Sequence, residues 1–147
     1  MTEFKRILVP TDFGKSSEKA LEIAVDLAKK YASSLTLLHT YEVPVYAYEG
    51  MGYTAVNLLA PIQERAQARC DEALKGIRER VSEATALLAL GVPSDEIQRA
   101  IAETHADLVV MGTHGRRGVS HALLGSVAEK TVRLSPVPVL TVRAAER

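Results

Sequence analysis

The part of this chain best equipped for chemistry is an apolar run followed by a loop of small residues. Leu108-Val109-Val110-Met111 is unbroken and stops at Gly112. His114, Gly115, Arg116, Arg117, Gly118 and His121 follow, and Gly125-Ser126 opens a new helical pattern. Glycines let backbone N–H groups close on an oxyanion, and a helix start adds unpaired donors and a partial positive charge. That combination suits the phosphates of a nucleotide. An ordinary strand-to-helix turn would need one glycine for a positive φ. Glycines at 112, 115 and 118, with Gly125-Ser126 beyond, exceed that need. Other phosphate motifs fail: there is no G-x-x-x-x-G-K-[ST], and no G-x-G-x-x-G follows the first apolar run.

A second group of candidates sits near the start, where Pro10-Thr11-Asp12 ends the run Ile7-Leu8-Val9. Asp12 has several readings. It can cap the turn before the next helix, stand solvated, accept hydrogen bonds from a ribose or base, or help hold a divalent ion carried by phosphates. Arg116 and Arg117 are solvated loop cations unless a phosphate lies beside them, where a guanidinium matches its oxygens. His114 can donate to the same anion. His39, inside a strand pattern, reads as a core or crevice residue with a satisfied ring, and His105 as structural. Ser126 can cap a helix and face a phosphate at once. No His and Cys spacing suggests a metal site, and no nucleophile–base pair is evident, so any hydrolysis of a bound nucleotide should be slow. Cys70 falls on an apolar helical stripe and reads as core.

The elements that must position these residues alternate strictly. Strands are expected at Ile7–Val9, Leu35–Thr40, Thr85–Leu90, Leu108–Met111 and Val137–Val142, each a short, largely apolar run. Helices are expected after Ser16 or Ser17 as cap, from Leu58 to Val81 with Pro61 in its first turn, after Ser94 as cap, and from Gly125 to Leu134. This β-α alternation predicts an α/β fold: an open, doubly wound, five-stranded parallel sheet with helices on both faces. If the first and fourth strands are neighbours, Asp12 and Gly112 face each other across the topological switch point. The segment from Tyr41 to Asn57 is long for a loop in such a fold and holds Tyr41, Tyr46, Tyr48 and Tyr53. It reads as a lid, a partner surface or a plain surface loop.

Composition narrows the class. The 147 residues suit one domain, 1–147, and 47% hydrophobic with 24% charged content is ordinary globular usage. Eighteen basic and eighteen acidic residues cancel, which argues against a general nucleic-acid or anionic-membrane binder. One cysteine excludes an internal disulfide framework and fits a reducing compartment. No run reaches membrane-spanning length and no signal-peptide pattern opens the chain, so a cytoplasmic, soluble protein is expected.

With these residues in view, the chain resembles the universal stress protein family over essentially its whole length. The resemblance rests on ILVPTDFGKSSEKALEIAVDLA, on DLVVMGTHGRRG, and above all on one spacing. That spacing is glycine, two residues, glycine, nine residues, glycine-serine: Gly112, Gly115, then Gly125-Ser126. In the family it separates ATP-binding members from the rest, so the resemblance implies ATP, with Mg²⁺ as an option through Asp12. It also implies strand order 3-2-1-4-5, an adenine nucleotide alpha hydrolase-like fold. By the same resemblance Pro10, Thr11 and Asp12 would border the adenosine, and the backbone near Thr40 the adenine edge. Met111 and Gly112 would lie beside the ribose and α-phosphate. His114 through Gly118, including Gly115, Arg116 and Arg117, would hold the phosphates with Gly125, Ser126, Val127 and Ala128.

Three functions are then in play: a regulatory ATP-binding module with little turnover, a slow Mg-dependent ATPase or phosphate-transfer enzyme, and a stress-induced interaction protein with a vestigial site. Val137–Val142 is apolar and would lie at a sheet edge in the implied order, where Pro138 is tolerable. Pairing of two copies along that strand, giving a homodimer, is expected.

Overall fold

The computed structural model describes residues 2–42, 54–114 and 124–144, without the side chains of residues 54–58. The described elements are β1 (Arg6–Thr11), α1 (Lys15–Tyr31), β2 (Ser34–Tyr41), α2 (Thr54–Arg78), β3 (Ala84–Leu90), α3 (Pro93–Thr104), β4 (Leu108–Gly112), α4 (Ser126–Leu134) and β5 (Val139–Val142). All strand pairs are parallel, and the sheet order is β3-β2-β1-β4-β5. The expected fold class and order are therefore present.

Each strand's alternation divides its residues between two cores. Ile7, Val9, Leu35, Leu37, Leu108 and Val110 point to one face, under Ala20, Ala24, Val25 and Ala28 of α1 and Ile77 of α2. Leu8, Leu38, Val109 and Met111 point to the other, under Ile97, Ala100 and Ile101 of α3 and Ala128 of α4. Small residues on α1 let it lie close to the sheet. Cys70 is fully buried, as its stripe predicted.

The register explains where the sheet opens. β1 follows β2 to its tip, Thr11 opposite His39, but pairs with β4 only at Ile7–Leu108 and Leu8–Val109. β4 meanwhile stays with β5 as far as Gly112–Val142. The two central strands therefore part beyond Leu8 and Val109. Pro10 lies in the parted stretch and has no N–H to offer a ladder.

Several boundaries differ from the sequence expectation, for local reasons. Pro10 does not end β1, which continues to Thr11 because the missing donor costs nothing where β4 has left. Neither Ser16 nor Ser17 caps α1; Gly14 holds that position and both serines are buried in the first turn. Ser94 likewise lies inside α3, with Val92 as N-cap and Pro93 supplying a helical φ at the first position. α2 begins at Thr54, so Pro61 is interior and not in the first turn. Val81 stays buried just beyond the end of α2, its N–H bonded to the Ile77 carbonyl at 2.8 Å. β5 starts at Val139, two residues late, because Ser135 turns the preceding chain: its hydroxyl donates to the Val137 carbonyl at 2.7 Å and accepts the Val137 N–H at 3.1 Å.

Candidate functional site

A cavity of about 310 Å³ opens where β1 and β4 part, at the carboxyl edge of the sheet on its α3/α4 face. This lies at the small end of the range for small-molecule sites. Pro10, Thr11, Asp12 and Thr40 form one wall, and Met111, Gly112 and His114 the other, with Gly125, Ser126, Val127 and Ala128 across the end. The structure thus brings both expected walls together. Gly115, Arg116, Arg117 and Gly118 lie outside the described residues, as do His121, Tyr46, Tyr48 and Tyr53.

Five lining residues were not anticipated: Ser17, Leu38, Pro93, Ile97 and Thr113. Period-two alternation from Thr40 would have found Leu38, and alternation from Met111 would have found Thr113. Ser17 has the composition of a helix cap, which masks its place in the wall. Pro93 and Ile97 depend on how α3 crosses the sheet, which no local pattern reports.

The end wall is a helix start. Gly125 is the N-cap of α4 and no side chain bonds there. The first intrahelical bond runs from the Glu129 N–H to the Gly125 carbonyl at 2.9 Å, so the N–H groups of Ser126, Val127 and Ala128 have no carbonyl to receive them within the helix. The Gly125 N–H is used, bonded to the Thr113 carbonyl, which fixes the helix start against the β4 loop. Buried polar atoms stand beside it. Thr113 Oγ1 and both ring nitrogens of His114 are buried without a hydrogen-bond partner among the described residues.

The opposite wall is ordered by its own side chains. Asp12 Oδ1 accepts the Gly14 N–H at 2.8 Å and the Ser17 hydroxyl at 2.9 Å, so the carboxylate does cap the turn into α1. Thr11 Oγ1 accepts the Phe13 N–H at 3.0 Å, and Phe13 adopts φ 62°. The Phe13 ring packs on His39, with centroids 4.7 Å apart, and the Arg69 guanidinium lies over it, 4.9 Å from its centroid. His39 Nδ1 bonds the Thr11 carbonyl at 2.9 Å, a satisfied ring as the sequence suggested. Desolvation pushes the His39 pKa down and Arg69 adds to this, against the Thr11 hydrogen bond and the Asp12 charge. The ring is neutral above the ordinary histidine range and donates from Nδ1. His105 is structural: it closes α3 in the left-handed conformation, φ 54°.

Chemically, the cavity offers donors more than reactants. Among the described lining residues the ionisable ones are Asp12 and His114. Cys70 is elsewhere, and burial raises its thiol pKa, which disfavours the thiolate. No group of three or more His, Cys, Asp or Glu that could hold a metal occurs among the described residues. No described helix is long and apolar enough to cross a membrane.

A parallel sheet in the order β3-β2-β1-β4-β5, with its crevice at the switch point and a glycine-started helix closing it, defines an open, doubly wound α/β architecture. Comparison with known proteins gives the particular family. The chain belongs to the universal stress protein family, whose sequence model matches residues 3–143. It is 35% identical over 141 residues to a universal stress protein of Thermus aquaticus, covering 95% of this chain and 99% of that one. It is 32% identical over 147 residues to the universal stress protein YxiE of Bacillus subtilis, covering 95% and 99%. Among solved structures it is similar to the Methanocaldococcus jannaschii protein MJ0577, with TM-score 0.84, 25% identity and coverage of 99% and 100%. It also shares the fold of a universal stress protein solved in complex with cAMP, with TM-score 0.65, 24% identity and coverage of 98% and 100%.

Proposed function

We propose that the chain is an ATP-binding regulatory module of the stress response, with little or slow hydrolysis, acting in the cytoplasm as one domain over residues 1–147. One observation carries the reading: Thr113 Oγ1 and both His114 ring nitrogens are buried without partners among the described residues, beside the uncapped start of α4. A buried polar atom left unpaired costs about 1–3 kcal/mol, so a site that keeps several suggests a polar ligand. The ligand these groups fit is an anion, since the α4 start presents N–H donors and the positive end of a helix dipole.

The wall chemistry favours a nucleotide over a free phosphate. Leu38, Pro93, Ile97 and Met111 give the cavity an apolar side suited to a flat base, next to the donor-rich end. The fold itself accommodates adenine nucleotides in other proteins, which have been solved with cAMP and with dAMP. Bound ATP would set its phosphates against Ser126, Val127, Ala128 and His114, with Arg116, Arg117, Gly115 and Gly118 completing the loop. Mg²⁺, if carried, would sit on phosphate oxygens with at most Asp12 as a protein carboxylate, which agrees with the usual habit of that ion. Among the described lining residues the Ser17 hydroxyl and the Asp12 carboxylate bond each other and order the turn into α1, which favours binding over rapid turnover.

We also propose a homodimer paired along the last strand, Val137–Val142. β5 is the outer strand of the sheet and Leu140 on it is exposed. Calorimetric titration with ATP, ADP and AMP, with and without Mg²⁺, followed by a product assay, tests the function. Heat with ATP and no product over long incubation supports it. No heat with any nucleotide overturns it, and rapid product release would replace the regulatory reading with an enzyme.

A further inference from the structure

Consecutive serines in the first turn of α1 reach opposite walls of the cavity. The Ser16 hydroxyl donates to the His114 main-chain carbonyl, and the Ser17 hydroxyl donates to Asp12 Oδ1 at 2.9 Å. Both serines are buried, at 7% and 6% exposure, although neither caps the helix. Buried polar groups are hydrogen-bonded as a rule, and these two hydroxyls direct that bond to the two walls. Gly112 makes the first of these bonds feasible. A Cβ there would collide with the Ser16 side chain and stand 2.8 Å from the Ser16 carbonyl carbon and from the Ser17 nitrogen.

We infer that Ser16 and Ser17 are positioning residues for the nucleotide site, Ser16 setting the His114 side and Ser17 the Asp12 side, so that α1 fixes the distance between the walls. This rests on the ATP reading above. Because the serines are neighbours on one rigid turn, the two walls are referred to a common body although they lie 102 residues apart in sequence (Asp12 and His114). His114 follows the last strand residue by two, and its ring has no partner among the described residues. The anchor on its carbonyl adds to the bonds that hold the preceding residue, from the Thr113 N–H to the Val142 carbonyl and from the Gly125 N–H to the Thr113 carbonyl. Asp12 lies one residue beyond the tip of β1, and Ser17 with the Gly14 N–H determines how its carboxylate is turned.

The two serines should then fail in different ways. Loss of the Ser16 hydroxyl frees the wall proposed to meet the phosphate chain, so Ser16→Ala should lower ATP affinity about tenfold and AMP affinity about twofold at most. Loss of the Ser17 hydroxyl frees Asp12, so Ser17→Ala should lower affinity for both nucleotides by a similar factor of about five. That second effect should shrink when Asp12→Ala is already present, since the serine acts chiefly on the Asp12 carboxylate at 2.9 Å and only weakly on its N–H at 3.5 Å. A general loss of stability would lower ATP and AMP binding together and would not depend on residue 12.

The experiment is calorimetric titration of the full chain and these variants with ATP and AMP, with thermal unfolding alongside. A changed ATP-to-AMP ratio in Ser16→Ala, together with non-additivity of Ser17→Ala and Asp12→Ala, supports the assignment. If the wild type binds ATP but the Ser16→Ala ratio is unchanged, or the Ser17 and Asp12 effects add, the positioning role falls and the ATP reading stands. If the wild type binds neither nucleotide, both fall.

Discussion

The α-carbon of Gly112, at the end of β4, packs against Ser16 in the first turn of α1 so closely that no side chain fits between them. A methyl group there would lie 2.8 Å from the Ser16 carbonyl carbon and 2.8 Å from the Ser17 nitrogen, both main-chain atoms that cannot swing away. The glycine is therefore demanded by packing before any ligand is considered. Three glycines should respond differently to alanine. Gly112→Ala should destabilise by about 2–3 kcal/mol, as overpacking against backbone does. Gly125→Ala, with its Cβ 3.1 Å from the Thr113 carbonyl oxygen, should cost about 1 kcal/mol. Gly76→Ala, inside α2 with nothing within 4 Å, should stabilise by about 0.5–1 kcal/mol. Urea unfolding reads all three, and an unaffected Gly112→Ala would show that α1 can withdraw from β4.

His39 gives a pH dependence with a definite sign. Desolvation chiefly, with help from Arg69, lowers its pKa in the folded chain below the ordinary value of 6.5. The folded state thus binds fewer protons than the unfolded state between the two values, and stability rises with pH there. The His39 contribution is complete above the unfolded pKa and is lost as pH falls through the folded one. Urea midpoints between pH 5 and 8 should fall toward acid less steeply in His39→Gln than in wild type. NMR titration of the ring should place its midpoint below 6.5. A midpoint above that value would reverse the sign.

The unpaired polar atoms at the cavity predict a trade of stability against binding. Thr113→Val keeps the shape and removes a hydroxyl that has no partner among the described residues, so the ligand-free protein should become more stable by about 1 kcal/mol. His114→Leu should act in the same direction, while ATP affinity falls by about tenfold or more through loss of a donor to a charged group. Thermal unfolding without nucleotide and titration with ATP measure the two effects separately. A less stable ligand-free Thr113→Val would mean that its hydroxyl is already satisfied in solution.

Much of this was legible in the sequence because the signals were local. Short, largely apolar runs placed the five strands, and strict alternation with helices gave a parallel sheet. The resemblance supplied its order, and the two walls of the cavity followed from strand tips. The rest depends on non-local geometry. Gly112 was read as room for a ligand, whereas the nearer constraint is α1, 96 residues earlier in the chain at Ser16. Ser16 and Ser17 carry a capping composition, but Gly14 starts the helix and the hydroxyls turn to distant partners. Ser94 was misplaced for a related reason: Pro93 already satisfies the first helical position, so the cap falls to Val92. Composition marks that a helix begins, and tertiary contacts decide which residue begins it.

The proposed dimer can be tested at the sheet edge. β5 is bordered by β4 on one side only, and its Leu140 is 40% exposed. On α4, which packs beside β5, Val132 and Leu134 are 46% and 51% exposed. An edge strand with apolar side chains invites another chain, and a second copy around a twofold axis would pair the strand with itself and stop there. A buried carboxylate at the centre of such a seam would face its own symmetry mate, which combines desolvation with like-charge repulsion. Leu140→Asp should therefore sediment as a single 15.9 kDa chain, while the wild type sediments at twice that mass. The fold should tolerate the change, because the side chain is already partly in water. A wild type that sediments at 15.9 kDa would remove the dimer, and a Leu140→Asp dimer would move the interface away from β5.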